Sequence, residues 1–284
     1  MSSAEIIGLG AIAGFTIYLG LPMGRLRNPA PRLQALLNAV AIGILVFLLF
    51  DVLENANEPV EEALKHASDG VGSWWRFVGL AAIFAAGVGV GLLSLVYYDR
   101  WSSRRRRRLT PVGPGAMAVG ELAGTEAVPH GLSGAQQLAL MIAIGIGLHN
   151  FSEGLAIGQS AAKNEIGLAL LLIIGFGLHN ATEGFGIVAP LAAEGERATW
   201  AFLGLMGLIG GGPTFLGTIV GQSFVNDELF IAFLALAAGS ILYVVVQLIQ
   251  VAARLGHREM LMWGIFLGLV AGFATDYVLV AAGV

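Results

Sequence analysis

Residues 138–157 read LALMIAIGIGLHNFSEGLAI, and residues 168–187 read LALLLIIGFGLHNATEGFGI. The offset is 30 residues, and 12 of the 20 paired positions are identical. Each copy is a long apolar run broken by one polar cluster. The first cluster is His149, Asn150, Ser152 and Glu153; the second is His179, Asn180, Thr182 and Glu183. A histidine and a glutamate four residues apart in a helix project from one face, a turn apart. The asparagine adds an amide beside them. Ionisable groups inside a membrane helix are costly, face the bundle interior and mark pathways. Two such stripes facing each other offer two imidazoles and two carboxylates. That donor set suits a borderline divalent metal such as zinc or iron.

The rest of the chain agrees with a membrane setting. It has 284 residues, 56% of them hydrophobic and only 12% charged. Its mean hydropathy is +0.79. A soluble domain carries about twice that share of charge. Several apolar runs exceed the roughly 20 residues that span a bilayer. There is no cysteine, so disulfides and thiolate metal sites are excluded. The 41 glycines fit close packing of helices in lipid. The start of the chain lacks a charged n-region and an A-x-A cleavage site, which predicts a retained first span.

Eight spans are expected, at 4–24, 33–53, 75–98, 135–159, 166–191, 199–223, 229–253 and 259–282. The runs have no two-residue period, which argues against a barrel. The fold class is therefore all-α: a polytopic bundle forming one domain over 1–284. With eight spans the loops alternate sides. Arg25, Arg27, Arg32, Arg100, Arg104, Arg105, Arg106, Arg107, Arg108, Arg197, Arg254 and Arg258 fall on one side; only Lys65, Arg76 and Lys163 fall on the other. The positive-inside rule puts the first group in the cytoplasm and both termini outside.

The segment 100–134 is expected to be a loose cytoplasmic loop between the third and fourth spans, rich in arginine and then in Pro, Gly and Ala. Its arginine run is a topology determinant first and a contact for anionic lipid second. Glu121, Glu126 and His130 there make only a poor metal site. The loop 54–73 is acidic, with Glu54, Glu58, Glu61, Glu62, Asp69 and His66. Outside the membrane it would concentrate cations, or simply keep a loop soluble. Asp51 sits near the outer entrance.

The two copies of the repeat lie on consecutive spans, so they cross the membrane in opposite directions. That makes an inverted repeat about an axis in the membrane plane. Antiparallel pairing sets both polar clusters near one depth. His149, Glu153, His179 and Glu183 can then converge on one ion. Asn150 and Asn180, turned by about 100° on their helices, can line a second position. Ser152 and Thr182 can bond the i−4 carbonyl and bend their helices. The neighbouring glycines permit close approach or local unwinding. Asn38, Gln222, Ser240, Gln247, Gln250 and Asp276 also lie inside spans; structural or interfacial roles are expected of them before roles in transport.

HNFSEG at 149–154 and HNATEG at 179–184 resemble the HNxPEG motifs of the ZIP (Zrt-, Irt-like protein) family of divalent-metal transporters. AAGSILYVVVQLI at 237–249 and ILVFLLFDVLENA at 44–56 look like further family segments. The resemblance implies eight spans with outward termini in the inner (plasma) membrane. It implies a binuclear centre at mid-membrane, an elevator-like movement of one helix bundle against another, and often a homodimer. The cargo implied is zinc first, then iron, manganese or cadmium. Metal ligands carried over by the motif are His149, Asn150, Glu153, His179, Asn180 and Glu183. The chain departs from the pattern in four places. Ser152 and Thr182 replace the motif prolines. Gly212 and Gln247 stand where acidic residues are common, which implies one strong site and one weak or vestigial site. No histidine-rich loop is present.

No GxxxxGK[ST] motif occurs, so transport would draw on gradients. The bilayer and metal ions are the partners expected, nucleic acid is not, and no prosthetic group is called for. A membrane zinc protease would need HExxH, and Asn150 and Asn180 hold the place of its base, so an enzyme is not expected. A metal channel or a metal sensor is the alternative to a carrier.

Overall fold

A computed structural model describes residues 2–25, 31–109, 132–162, 166–223 and 226–281. Among these residues there is no strand. Eight long helices follow in order: α1 (Ser3–Phe15), α2 (Pro31–Ser68), α3 (Trp74–Leu109), α4 (Gly134–Ala162), α5 (Ile166–Ala193), α6 (Trp200–Gly221), α7 (Asp227–Leu255) and α8 (Arg258–Ala281). Two short 3-10 turns, Thr16–Leu19 and Leu21–Arg25, continue α1. Seven of these segments are long and apolar enough to cross a membrane. The other, α5, has 28 residues, of which His179 and Glu183 alone are ionisable. The chain is an all-α polytopic membrane protein.

Local chemistry sets the helix ends. The Ser2 hydroxyl accepts from the Glu5 amide and the Glu5 carboxylate accepts from the Ser2 amide, a capping box that starts α1. Thr199 caps α6 by accepting from the Phe202 amide, and Asn226 caps α7 by accepting from the Leu229 amide. Gly256 closes α7 at φ 73°, a left-handed turn that favours glycine.

Two expected loop boundaries are corrected. Helix α2 does not end near residue 53; it runs to Ser68 and is 38 residues long. The stretch beyond Asn55 is rich in helix formers. It also keeps a buried stripe of Ala56, Val60, Ala63 and Ala67, with Val60 and Ala63 packed against Leu80 and Ile231. The acidic residues therefore stand on a rigid rod and not on a loop. Likewise α3 carries the arginine run as helix as far as Leu109, so the third connection is shorter than 100–134. Residues 110–131, with Glu121, Glu126 and His130, lie outside the described residues, as do Arg27 and Lys163.

The helices form two groups. Helices α1, α4, α5 and α6 pack together; α2 packs on α8 and α7, and α3 packs on α7. The groups meet where α4 touches α7 and α2 touches α5. Exchanging α1 with α6, α2 with α7, α3 with α8 and α4 with α5 maps the main contacts onto one another: α4–α6 becomes α5–α1, and α3–α7 becomes α8–α2. The repeat written in α4 and α5 is thus the visible trace of a pseudo-symmetry that runs through the molecule.

Glycine sets the closest approaches. A side chain at Gly217 of α6 would meet the Phe151 carbonyl and lie 3.0 Å from the α-carbon of Gly154 in α4. At the symmetric place, one at Gly184 of α5 would lie 2.9 Å from the α-carbon of Gly20, in the turn after α1. Backbone contact of this kind is how membrane helices associate where lipid removes the hydrophobic drive.

Candidate metal centre

Helices α4 and α5 bring the two motifs to one depth. His149, Asn150, Ser152 and Glu153 are buried on α4; Asn180 and Glu183 are buried on α5. The His179 side chain keeps 13% of its exposure. The two imidazole rings lie 6.2 Å apart, nearly parallel at 29°. Glu153 stands between them: its Oε1 is 2.9 Å from His149 Nε2 and in direct contact with His179 Nε2. The Glu153–His149 approach completes no hydrogen bond. One potential ligand atom each from His149, His179 and Glu183 lies within 4.8 Å of the others.

Much of this donor capacity is unspent. Both Glu183 oxygens, Glu153 Oε2 and both His149 ring nitrogens are buried without a hydrogen-bond partner. Buried polar groups are normally paired, and an orphaned carboxylate in a membrane core is costly. A divalent cation would supply what these atoms lack. Two nitrogens and several carboxylate oxygens form a set that zinc, iron or manganese accepts.

The hydroxyls and amides act differently from expectation. Ser152 donates to the His149 carbonyl at 2.6 Å and Thr182 to the His179 carbonyl at 2.7 Å, both at i−3 and not i−4. Helices α4 and α5 stay continuous through the motif, without unwinding. Each asparagine spends its amide nitrogen on a neighbouring helix. Asn150 donates to the Gly210 carbonyl of α6 at 2.9 Å, and Asn180 donates to the Ala13 carbonyl near the end of α1 at 3.1 Å. These bonds are symmetry mates. Each leaves its amide oxygen buried and without a partner.

The family model described as ZIP Zinc transporter matches residues 119–279. This chain belongs to the ZIP family. A comparison with curated proteins finds no significant match.

As in its family, divalent metal is the cargo, and among the described residues the ZIP fold here gives the centre an approach from one side. A cavity of about 340 Å³ ends on His179 and Thr182; Ile44, Phe47, Leu48 and Phe176 make its walls largely apolar. It shares Phe47, Asp51 and Asp276 with a second cavity of about 580 Å³, lined along α2 by Glu54, Glu58 and Glu61. Asp51 and Asp276 thus stand at the junction of an acidic mouth and the centre. The sequence places Asp51 near the outer entrance and gives Asp276 a structural or interfacial role; their juxtaposition across α2 and α8 is invisible in one dimension. In the opposite direction an apolar layer closes the centre off. Met141, Ile142 and Ile146 of α4, Ile187 and Leu191 of α5, and Val244 and Leu248 of α7 are all essentially without exposure.

The two positions read as lost ligands have different surroundings. A side chain at Gly212 would meet only Leu208 within 4 Å. Gln247 lines a cavity at the far end of α4, beyond the apolar layer. Asn38, Gln222 and Ser240 each bond a backbone carbonyl, of Leu248, Thr218 and Leu236 respectively.

Proposed function

We propose that this ZIP protein carries a divalent metal, zinc first, with iron, manganese and cadmium as the related cargoes, toward the cytoplasm by alternating access. The ligands in this reading are His149, Glu153, His179 and Glu183, with the Asn150 and Asn180 amide oxygens as weaker donors. The observation that carries it is the meeting of His149, His179 and Glu183 within reach of one ion, with Glu153 against both imidazoles and buried donor atoms left unpartnered.

The geometry favours a carrier over an open channel. The approach ends at His179, and the apolar layer of α4, α5 and α7 lies beyond the centre. Among the described residues, the cation is therefore reached from the face of the acidic mouth. Moving it on requires the group α1, α4, α5 and α6 to shift against α2, α3, α7 and α8. Arg25 donates to the Ala198 carbonyl, and Arg254 pairs with Glu194, so these arginines share one end of the molecule. The positive-inside rule makes that end cytoplasmic and the acidic mouth external. The mouth gathers cations, Asp51 and Asp276 pass them inward, and the His and Glu donors replace the hydration shell.

Zinc flux into proteoliposomes tests the proposal. Glu153→Ala or Glu183→Ala abolishes uptake while the variant still elutes as a folded protein. Normal uptake by both variants would rule out the mechanism. A saturable flux supports the carrier; metal binding without flux would make the protein a sensor.

A further inference from the structure

The cavity that ends on His179 carries polar groups at its two ends and offers none between them. Ile44, Phe47, Leu48 and Phe176 line it, with Ala271 and Gly272 of α8. Two threonine hydroxyls reach it, and each is spent on its own helix. Thr182 donates to the His179 carbonyl at 2.7 Å, and Thr275 donates to the Ala271 carbonyl at 3.0 Å. At the outer end stand Asp51 of α2 and Asp276 of α8. Among the described residues no cation pairs with either carboxylate. Lys65 belongs to the mouth and not to this inner cavity. Aromatic rings stand beside the two aspartates: Phe47 and Phe273 meet edge to face with centroids 4.9 Å apart, and both border the mouth cavity that Asp51 and Asp276 share.

A hydrated metal ion gains nothing from such walls, because they cannot replace the water it sheds. An organic cation with an apolar body gains twice. Its carbon skeleton leaves water, and its ammonium meets carboxylates and phenylalanine rings. A primary ammonium has three donor hydrogens, enough for both aspartates. The volume of about 340 Å³ falls in the range of small-molecule sites, which are mostly apolar with a few placed polar groups.

We propose that this cavity binds a lipophilic primary amine, with the ammonium between Asp51 and Asp276 and the apolar body among Phe47, Leu48 and Phe176, and that such a ligand stops metal from reaching His179. The block rests on the transport reading; the binding does not.

The test starts with the full chain in detergent, stripped of metal by a chelator. It is titrated with phenylbutylamine, with its neutral counterpart phenylbutanol and with methylammonium, and the heat of binding and the melting temperature are read. The amine binds roughly tenfold more tightly than the alcohol, the effect of one charge interaction. Methylammonium, which lacks the apolar body, gives no saturable signal. Asp51→Asn and Asp276→Asn each weaken the amine roughly tenfold and leave the alcohol unchanged. Gly175→Leu fills the cavity, since the first added carbon would meet only Thr275, at 3.4 Å, and it weakens amine and alcohol together. Asp276→Asn, near the end of α8, decides the matter if the Gly175 variant does not fold. Equal affinity for amine and alcohol, or an amine affinity untouched by both aspartate variants, overturns the site.

In proteoliposomes, the amine added on the side of the acidic mouth raises the half-saturating zinc concentration for uptake in proportion to its own concentration and leaves maximal uptake unchanged. Binding in detergent without that effect overturns the block and leaves the site standing. Absence of zinc flux in the unaltered protein overturns the transport reading, and the block with it, while the binding measured in detergent still decides the site.

Discussion

Glu153 holds a demanding position at the meeting of the two motifs. One of its oxygens touches imidazoles from both motifs, and the other is buried with nothing to bond. Such a group is costly in a membrane core unless it is protonated or a cation compensates it. The asparagines beside the centre serve structure as well. Asn180 gives the Ala13 carbonyl a second donor, beside the Thr16 hydroxyl, where α1 gives way to a 3-10 turn. Asn150 donates likewise to the Gly210 carbonyl inside α6. Replacing either by Ala removes a buried interhelical bond. The expected loss is about 0.5–1.5 kcal/mol of stability, read as a lower melting temperature in detergent, with the two variants losing similar amounts because the sites are related by symmetry. A clearly unequal pair would argue against that equivalence.

At the scale of elements, α6 is shaped to fit α4. Pro213 has no amide hydrogen, which frees the Ile209 carbonyl from its helical bond, and Gly147 of α4 lies against that carbonyl. Gly154 and Gly217 then let the backbones meet a turn or two further on. Gly217→Val would drive a branched side chain into the Phe151 carbonyl. Overpacking of this kind costs about 1–3 kcal/mol, and here it would also displace Glu153, two residues away on α4. A lower melting temperature together with impaired zinc flux is expected. Gly204→Ala is the contrast: nothing lies within 4 Å of the added carbon, so the same assays should be unchanged. Equal effects of the two substitutions would show that α4–α6 contact is not the cause.

For the whole molecule, the long α2 joins the external field to the buried centre. Its Glu54, Glu58 and Glu61 line the mouth, and its Asp51 lies at the junction with the inner cavity. A rigid row of carboxylates raises the local cation concentration and speeds capture. Changing these three glutamates to Gln should raise the half-saturating zinc concentration for uptake several-fold at low salt, with the difference shrinking as ionic strength screens the field. Uptake kinetics at two salt concentrations check this; a defect independent of salt would mean that the glutamates act by contact. Membrane character, the paired His-Asn-x-x-Glu clusters and the inverted repeat were all legible in the chain, because hydropathy and four-residue spacing are local properties. The extension of α2 to Ser68 was not, since it depends on Val60 and Ala63 finding Leu80 and Ile231. Nor was the position of Gln247, which is fixed by the packing of α7 on α4. Which ends of the centre are open and closed, the meeting of Asp51 with Asp276, and the pinning of α1 and α6 by the asparagines are contacts between residues far apart in sequence. Only the tertiary structure decides those, because periodicity names the face of a helix and says nothing of its neighbour.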